Sequence, residues 1–227
     1  AIVRQGLILY DLSGERLWYK FDADDPHSIS DNNISKLYED RSERIWVGTN
    51  AGGVNRYDPV TKQFSHIRKQ TNANFSLSDN TITDIYQTQD NKMWFGTPLG
   101  LNRLDNDSGQ IKSYTINEGL IDNNIKSIIE DGFSDLWISN NGGISQYSSS
   151  EDYFISYSGR DIFSNNSFYP NDAALGIDNT IYFGGSEGLS KIMLAKMARS
   201  TYALKTLITD LWVDDKKNNI NTEHDNR

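Results

Sequence analysis

Amide side chains dominate the positions of this sequence that could recognise another molecule. Asn32, Asn33, Asn50, Asn80, Asn123, Asn124, Asn140 and Asn141 each offer paired donors and an acceptor without charge, which is the chemistry that reads sugar hydroxyls. The same amides also suit a structural task. Asp31, Asp79 and Asp122, each followed by Asn, have the side chains that close local turns onto their own backbone at the start of a strand. Because that feature recurs in register, the repeated positions are assigned to turns. Ligand contact is assigned to places where the copies differ: Asn50-Ala51, Pro98-Leu99, Asn140-Asn141 and Ser186-Glu187. The candidate ligand-binding residues are therefore Asn50, Asn140, Asn141, Ser186 and Glu187.

Catalytic chemistry finds little support. His27, His66 and His224 fall in a loop, an outer strand and the C-terminal tail, an arrangement expected to keep them apart. No G-x-S-x-G elbow, P-loop or H-E-x-x-H motif is present. Asp105-Asn106-Asp107-Ser108-Gly109 has the look of a calcium loop, but its distal glutamate is missing and the position suits a tight turn. With no cysteine, thiolate ligation and a cysteine nucleophile are excluded. The expectation is no catalytic residue, no metal and no cofactor. Carboxylates paired by the fold for glycosidic cleavage form the enzyme alternative. A net charge of -9 with scattered basic residues disfavours nucleic acid and anionic membrane surfaces as partners. No apolar run reaches the roughly 18 residues that span a bilayer, and the first residues lack the order of a signal peptide.

The elements that must position these residues come from an internal repeat. Asp31-Asn32-Asn33-Ile34, Asp79-Asn80-Thr81-Ile82 and Asp122-Asn123-Asn124-Ile125 begin units 48 and 43 residues apart, and a weaker copy, Asn165-Asn166-Ser167-Phe168, follows after 43 more. Twelve residues beyond the apolar position stand Trp46, Trp94 and Trp137; Tyr182 takes that place fourteen on in the fourth copy. A second half of the unit starts five times, at Gly6, Gly53, Gly100, Gly143 and Gly188, each followed by an apolar residue. Apolar runs such as Ile45-Trp46-Val47, bounded by turn residues such as Asp40-Arg41-Ser42-Glu43 and Asp58-Pro59-Val60-Thr61, read as short antiparallel strands. Four such strands per unit of about 45 residues is the content of a propeller blade. The fold class is thus all-β, a partial β-propeller of about four to five blades of four antiparallel strands. Residues 1–29 supply half a blade, and 30–76, 77–120, 121–163 and 164–193 supply the following ones. The repeated tryptophans, Tyr182 and the four glycines Gly53, Gly100, Gly143 and Gly188 are scaffold in this reading, the aromatics as spacers between blades. Trp18 and Trp212 lie outside the repeated position and are assigned to packing, Trp18 on an outer strand. Residues 194–205 lack the repeat, and Thr206 to Val213 reads as a further strand within a 194–227 segment.

These units resemble the two-component regulator propeller repeat, on the strength of D-N-N-I-S-K-L-Y-E-D…R-I-W-V-G-T-N-A-G-G-V-N-R-Y-D from Asp31 and D-N-T-I-T-D-I-Y-Q-T…K-M-W-F-G-T-P-L-G-L-N-R-L-D from Asp79. Leu207 to Val213 is similar to the first strand of the β-sandwich that follows such propellers. The resemblance departs at Ser139, which replaces a glycine, and at Tyr182. It implies a non-catalytic, ligand-sensing portion of a bacterial transmembrane signalling receptor, periplasmic and responding to a carbohydrate or other small molecule. The remaining blades, the sandwich domain and a homodimer mate would be its partners. A protein-interaction scaffold is the alternative implied by the same fold.

Overall fold

The computed structural model describes residues 5–10, 14, 16–70, 76–105, 108–158, 167–194, 211–213 and 216–218. The chain divides into two units, Ala1–Leu194 and Ala195–Arg227. In the second, β18 (Leu211–Val213) pairs antiparallel with β19 (Lys216–Asn218). The remainder of the strand expected over residues 206–213, and the whole of 195–205, lie outside the described residues.

The first unit follows the repeat. β1 (Leu7–Tyr10) and β2 (Arg16–Tyr19) form a two-stranded sheet. β3 (Ile34–Glu39), β4 (Ile45–Thr49), β5 (Val54–Asp58) and β6 (Gln63–Ile67) make the first complete blade in simple up-and-down order. β7 (Asp84–Gln87), β8 (Met93–Thr97), β9 (Gly100–Leu104) and β10 (Ile111–Tyr114) make the second. β11 (Ile125–Glu130), β12 (Leu136–Asn140), β13 (Gly143–Ser148) and β14 (Tyr153–Ser158) make the third. The fourth has three strands, β15 (Phe168–Leu175), β16 (Thr180–Gly185) and β17 (Gly188–Met193). The two extra residues before Tyr182 are absorbed in β15, whose register shifts between Phe168 and Ala173 around Asn171 at φ 60°.

A single four-stranded sheet cannot bury both faces, so the core lies in the seams between blades. Trp46 packs with Ile82, Ile85 and Phe95 of the next blade, and Trp94 with Ile128, Leu136 and Tyr147 of the one after. Trp46, Trp94 and Trp137 are each 1% exposed, and truncating such a side chain costs roughly 3–5 kcal/mol. Tyr182 is half-buried.

A buried indole also needs an acceptor for its N–H. Trp46 Nε1 donates to Asp40 Oδ2 at 2.8 Å, and Trp137 Nε1 to Asp131 Oδ2 at 2.9 Å. The other oxygen of each carboxylate caps the turn, Asp40 accepting from the Ser42 and Arg44 backbone and Asp131 from that of Phe133 and Asp135. Burial alone would push the Asp40 carboxyl up, but these hydrogen bonds outweigh it and hold its pKa below the ordinary value. The aspartate six residues before the tryptophan therefore joins turn and seam. In the second blade that position is Thr88; in the fourth it is Gly176, six before Tyr182.

Each such turn also reaches forward. The backbone N–H of Arg41 donates to Gln87 Oε1, that of Gln89 to Glu130 Oε2 and that of Gly132 to Asn179 Oδ1, all at 2.8 Å. At the opposite end of the blades, Gly53 adopts φ 78°, and a Cβ there would lie 2.3 Å from Ile67 O, so the position admits no side chain.

Asp40→Ala should destabilise the chain by about 3 kcal/mol in urea unfolding, because four donors, the backbone N–H groups of Ser42 and Arg44, the Arg44 Nε–H and the buried Trp46 indole, lose their acceptor. Thr88→Ala, at the matching position with no indole to serve, should cost about 1 kcal/mol or less.

Candidate functional site

The turns that join the second and third strands of successive blades, and the segments that lead into the first strands, share one end of the blades. The repeated residues there are held by the scaffold. Asp31, Asp79 and Asp122 each accept from the backbone N–H two residues on, at 3.0, 2.7 and 2.7 Å. The Oδ1 atoms of Asn32, Asn80 and Asn123 accept the N–H of Phe21, Lys69 and Ile116. These amide oxygens are committed to joining a unit to the segment that precedes it.

The candidate residues are placed differently. Asn50, Asn141, Ser186 and Glu187 are exposed on this end, each in a different blade except the last two. Asn50 also bridges a seam through its backbone, donating to Asn33 O and accepting from Thr81 Oγ1. Ser186 Oγ accepts from the Ser167 backbone at 3.2 Å. Asn140 is fully buried, with Nδ2 on Ser145 Oγ at 3.3 Å and Oδ1 without a protein partner. It occupies the place of Thr49 and Thr97, the last residue of the second strand, which packs inward before the chain turns. Only Asn141 matches Asn50.

Three buried polar residues escaped the sequence reading. Asn55, Asn102 and Ser145 lie two residues after Gly53, Gly100 and Gly143, and their side chains accept the backbone N–H of Ser30, Ser78 and Ile121. Asn55 and Asn102 donate in turn to Val47 O and Phe95 O. They fix where the chain turns into each first strand, and the constant offset from glycine was the available signal.

The first strands carry a polar layer at one repeat position, occupied by Lys36, Asp84 and Ser127. Lys36 Nζ pairs with Asp84 Oδ1 at 2.7 Å, and Asp84 Oδ2 accepts the Ile128 N–H at 2.8 Å. Ser127 Oγ accepts the Asp172 N–H at 2.7 Å and donates to Tyr169 O at 3.1 Å. Asn171 Nδ2 reaches Ser35 O of the first complete blade at 3.4 Å. Burial raises the Asp84 carboxyl above its ordinary range, with Lys36 opposing that shift.

The segments carrying His27 and His66 are closer than their sequence positions suggest. The Phe64 N–H donates to His27 O, and His66 Nε2 sits 2.8 Å from Ser28 O. The loop holding His27 folds back on the outer strand of the blade it introduces, which corrects the expectation that these two stay apart. Burial is the main cause that lowers the His66 pKa. His224, Asn106 and Asp107 lie outside the described residues. Among the described residues no group of three or more His, Asp or Glu side chains has the arrangement of a metal site. Trp18 stands half-exposed on β2 with Lys20 over its ring, while Tyr19 turns inward and bonds Tyr57.

Stacked blades joined by buried tryptophans define a repeat propeller. The two-component regulator propeller family matches residues 28–51 and 76–98, at the starts of the first two complete blades. Among curated relatives, Histidine kinase P4 of Formosa agariphila is 24% identical over 192 residues, covering 84% of this chain and 14% of that protein. Among solved structures, the extracellular domain of the putative hybrid two component system BT3049 from B. thetaiotaomicron superposes with a TM-score of 0.69 at 20% identity, over 85% of this chain and 25% of that one. The extracellular domain of the putative one component system BT4673 from the same organism gives 0.69 at 24% identity, over 84% and 27%. The chain thus spans a seventh to about a quarter of these relatives, and the solved structures share its propeller fold.

Lys36→Met would leave the Asp84 carboxylate buried without its counter-charge, at a cost of about 3 kcal/mol at pH 7. Asp84 already has a raised folded pKa, so the loss should shrink as pH falls through the upper carboxylate range and the group takes up its proton. Urea titrations at pH 7 and pH 5 check both the size and the sign.

Proposed function

We propose that this chain is a non-catalytic sensor portion of a bacterial transmembrane signalling receptor, lying outside the cytoplasm. Its ligand-facing end is the one that carries the turns between second and third strands, and its ligand is a carbohydrate or another small polar molecule. One observation carries this reading. Where the scaffold commits the repeated amides, the same turn in successive blades presents different exposed residues, Asn50, Leu99, Asn141 and the pair Ser186-Glu187. Neutral amides in such an array read hydroxyls by shape and direction without a strong charge requirement. The family match and the receptor ectodomains that share the fold support the sensor role. The remaining blades, the following sandwich domain and a dimer mate would carry the signal.

A protein-interaction scaffold is the second reading. Leu99 and Leu189 are 48% and 67% exposed at this same end, as an apolar contact surface would require.

Thermal shift of the whole extracytoplasmic region against a broad glycan and small-molecule panel tests the choice. At least one ligand should raise the Tm, and the triple variant N50A/N141A/E187A should lose most of that rise while its ligand-free Tm stays within about 2 °C. No rise with any compound would sink direct sensing and leave the protein-contact reading.

A further inference from the structure

Trp94 departs from the arrangement that Trp46 and Trp137 share. In those blades the indole N–H donates to the aspartate six residues earlier. The residue six before Trp94 is Thr88, too short to serve the indole and turned to other partners. Its Oγ1 lies 2.5 Å from Asp90 Oδ1 and 3.1 Å from Lys92 O. Trp94 is 1% exposed, and its Nε1 has no hydrogen-bond partner within the protein. A cavity of about 50 Å³ lies beside it in the seam between the second and third blades, walled by Thr88, Asp90, Trp94, Glu130, Leu136 and Tyr147.

The chemistry of the wall selects the occupant. A buried N–H calls for an acceptor. An anion would meet the carboxylates of Glu130 and Asp90, the second already paired with Lys92 at 2.6 Å. A cation would meet the indole N–H and Lys92. A neutral hydroxyl meets neither objection, because it accepts from the indole and donates onward to a carboxylate. Leu136 and Tyr147 add an apolar wall for one carbon. The volume exceeds the roughly 10–15 Å³ that one water needs and falls well short of the roughly 150 Å³ cavity that takes a benzene ring.

We propose that this cavity is a binding site for a single neutral hydroxyl group, supplied by water or by the CH2OH end of a small polyol, with Trp94 Nε1–H donating to it and Glu130 accepting from it. The site lies at the end of the blades opposite Asn50 and Asn141, so it stands or falls separately from the sensor reading above.

Indole N–H resonances of the 227-residue chain labelled with 15N-tryptophan test it, with glycerol as the polyol probe and W94F assigning the peak. Cross-relaxation from bound water to the Trp94 indole in buffer identifies water as the source. A saturable shift of that peak with glycerol, the Trp46 and Trp137 peaks staying in place, identifies a polyol. T88D/D90S, which copies Asp40 and Ser42 of the first complete blade, should abolish either response and slow exchange of the Trp94 N–H by about tenfold. If that variant fails to fold, judged by the Trp46 and Trp137 peaks, S149F places a ring over the cavity mouth from an exposed lining residue and should abolish the response instead. A Trp94 peak with neither cross-relaxation nor shift, or a response that survives these substitutions, would overturn the proposal.

Discussion

The indole placed between two sheets sets the terms for the rest of this molecule. It is the largest apolar group available to fill a seam, yet it carries one N–H that burial does not forgive. In the first and third complete blades an aspartate answers it, and the same aspartate caps the turn that starts the second strand. Seam packing and turn geometry are thereby tied to one side chain. Where the aspartate is lost, something else changes with it: the fourth blade has Gly176 in its place and a tyrosine instead of the tryptophan. The second blade keeps Trp94 and loses the acceptor, and a cavity lies there.

This division of labour separates the two ends of the blades. At the end holding the aspartate turns, backbone groups are bonded across every seam between described complete blades. At the other end, the Asx turns and the Asn55, Asn102 and Ser145 side chains hold the chain just before each first strand, beside the turns whose exposed residues vary between blades. Between the ends, the Lys36–Asp84 pair joins first strands through a charge that neither blade could bury alone.

Much of the architecture could be read from the sequence, because a repeat multiplies each weak local signal. Strand bounds from β3 to β13 follow the Asp-Asn and Trp positions closely. The candidate site was harder to read, and Asn140 shows why. Sequence places it beside Asn141 in an amide pair, but Asn140 is the last residue of a strand buried along its whole length and belongs to the core. Aligning it with Thr49 and Thr97 would have revealed this. The layer of Lys36, Asp84 and Ser127 also sits at one repeat offset, but its residue types differ. Its meaning comes from neighbours 43 to 48 residues away that only the fold supplies. The approach of His27 to His66 depends on a loop path that no periodicity encodes.

The forward bonds from Arg41, Gln89 and Gly132 to Gln87, Glu130 and Asn179 all point the same way along the chain. Arg41, Gln89 and Gly132 stand at one repeat position and Gln87 and Glu130 at another, so the first three complete blades share one design of giving edge and receiving edge, from which Asn179 departs. An array built so can lengthen or shorten by whole-unit duplication or deletion, since any unit finds on its new neighbour the half-interface it left behind. Selection can then adjust blade number in steps of one unit while the exposed turns diverge independently.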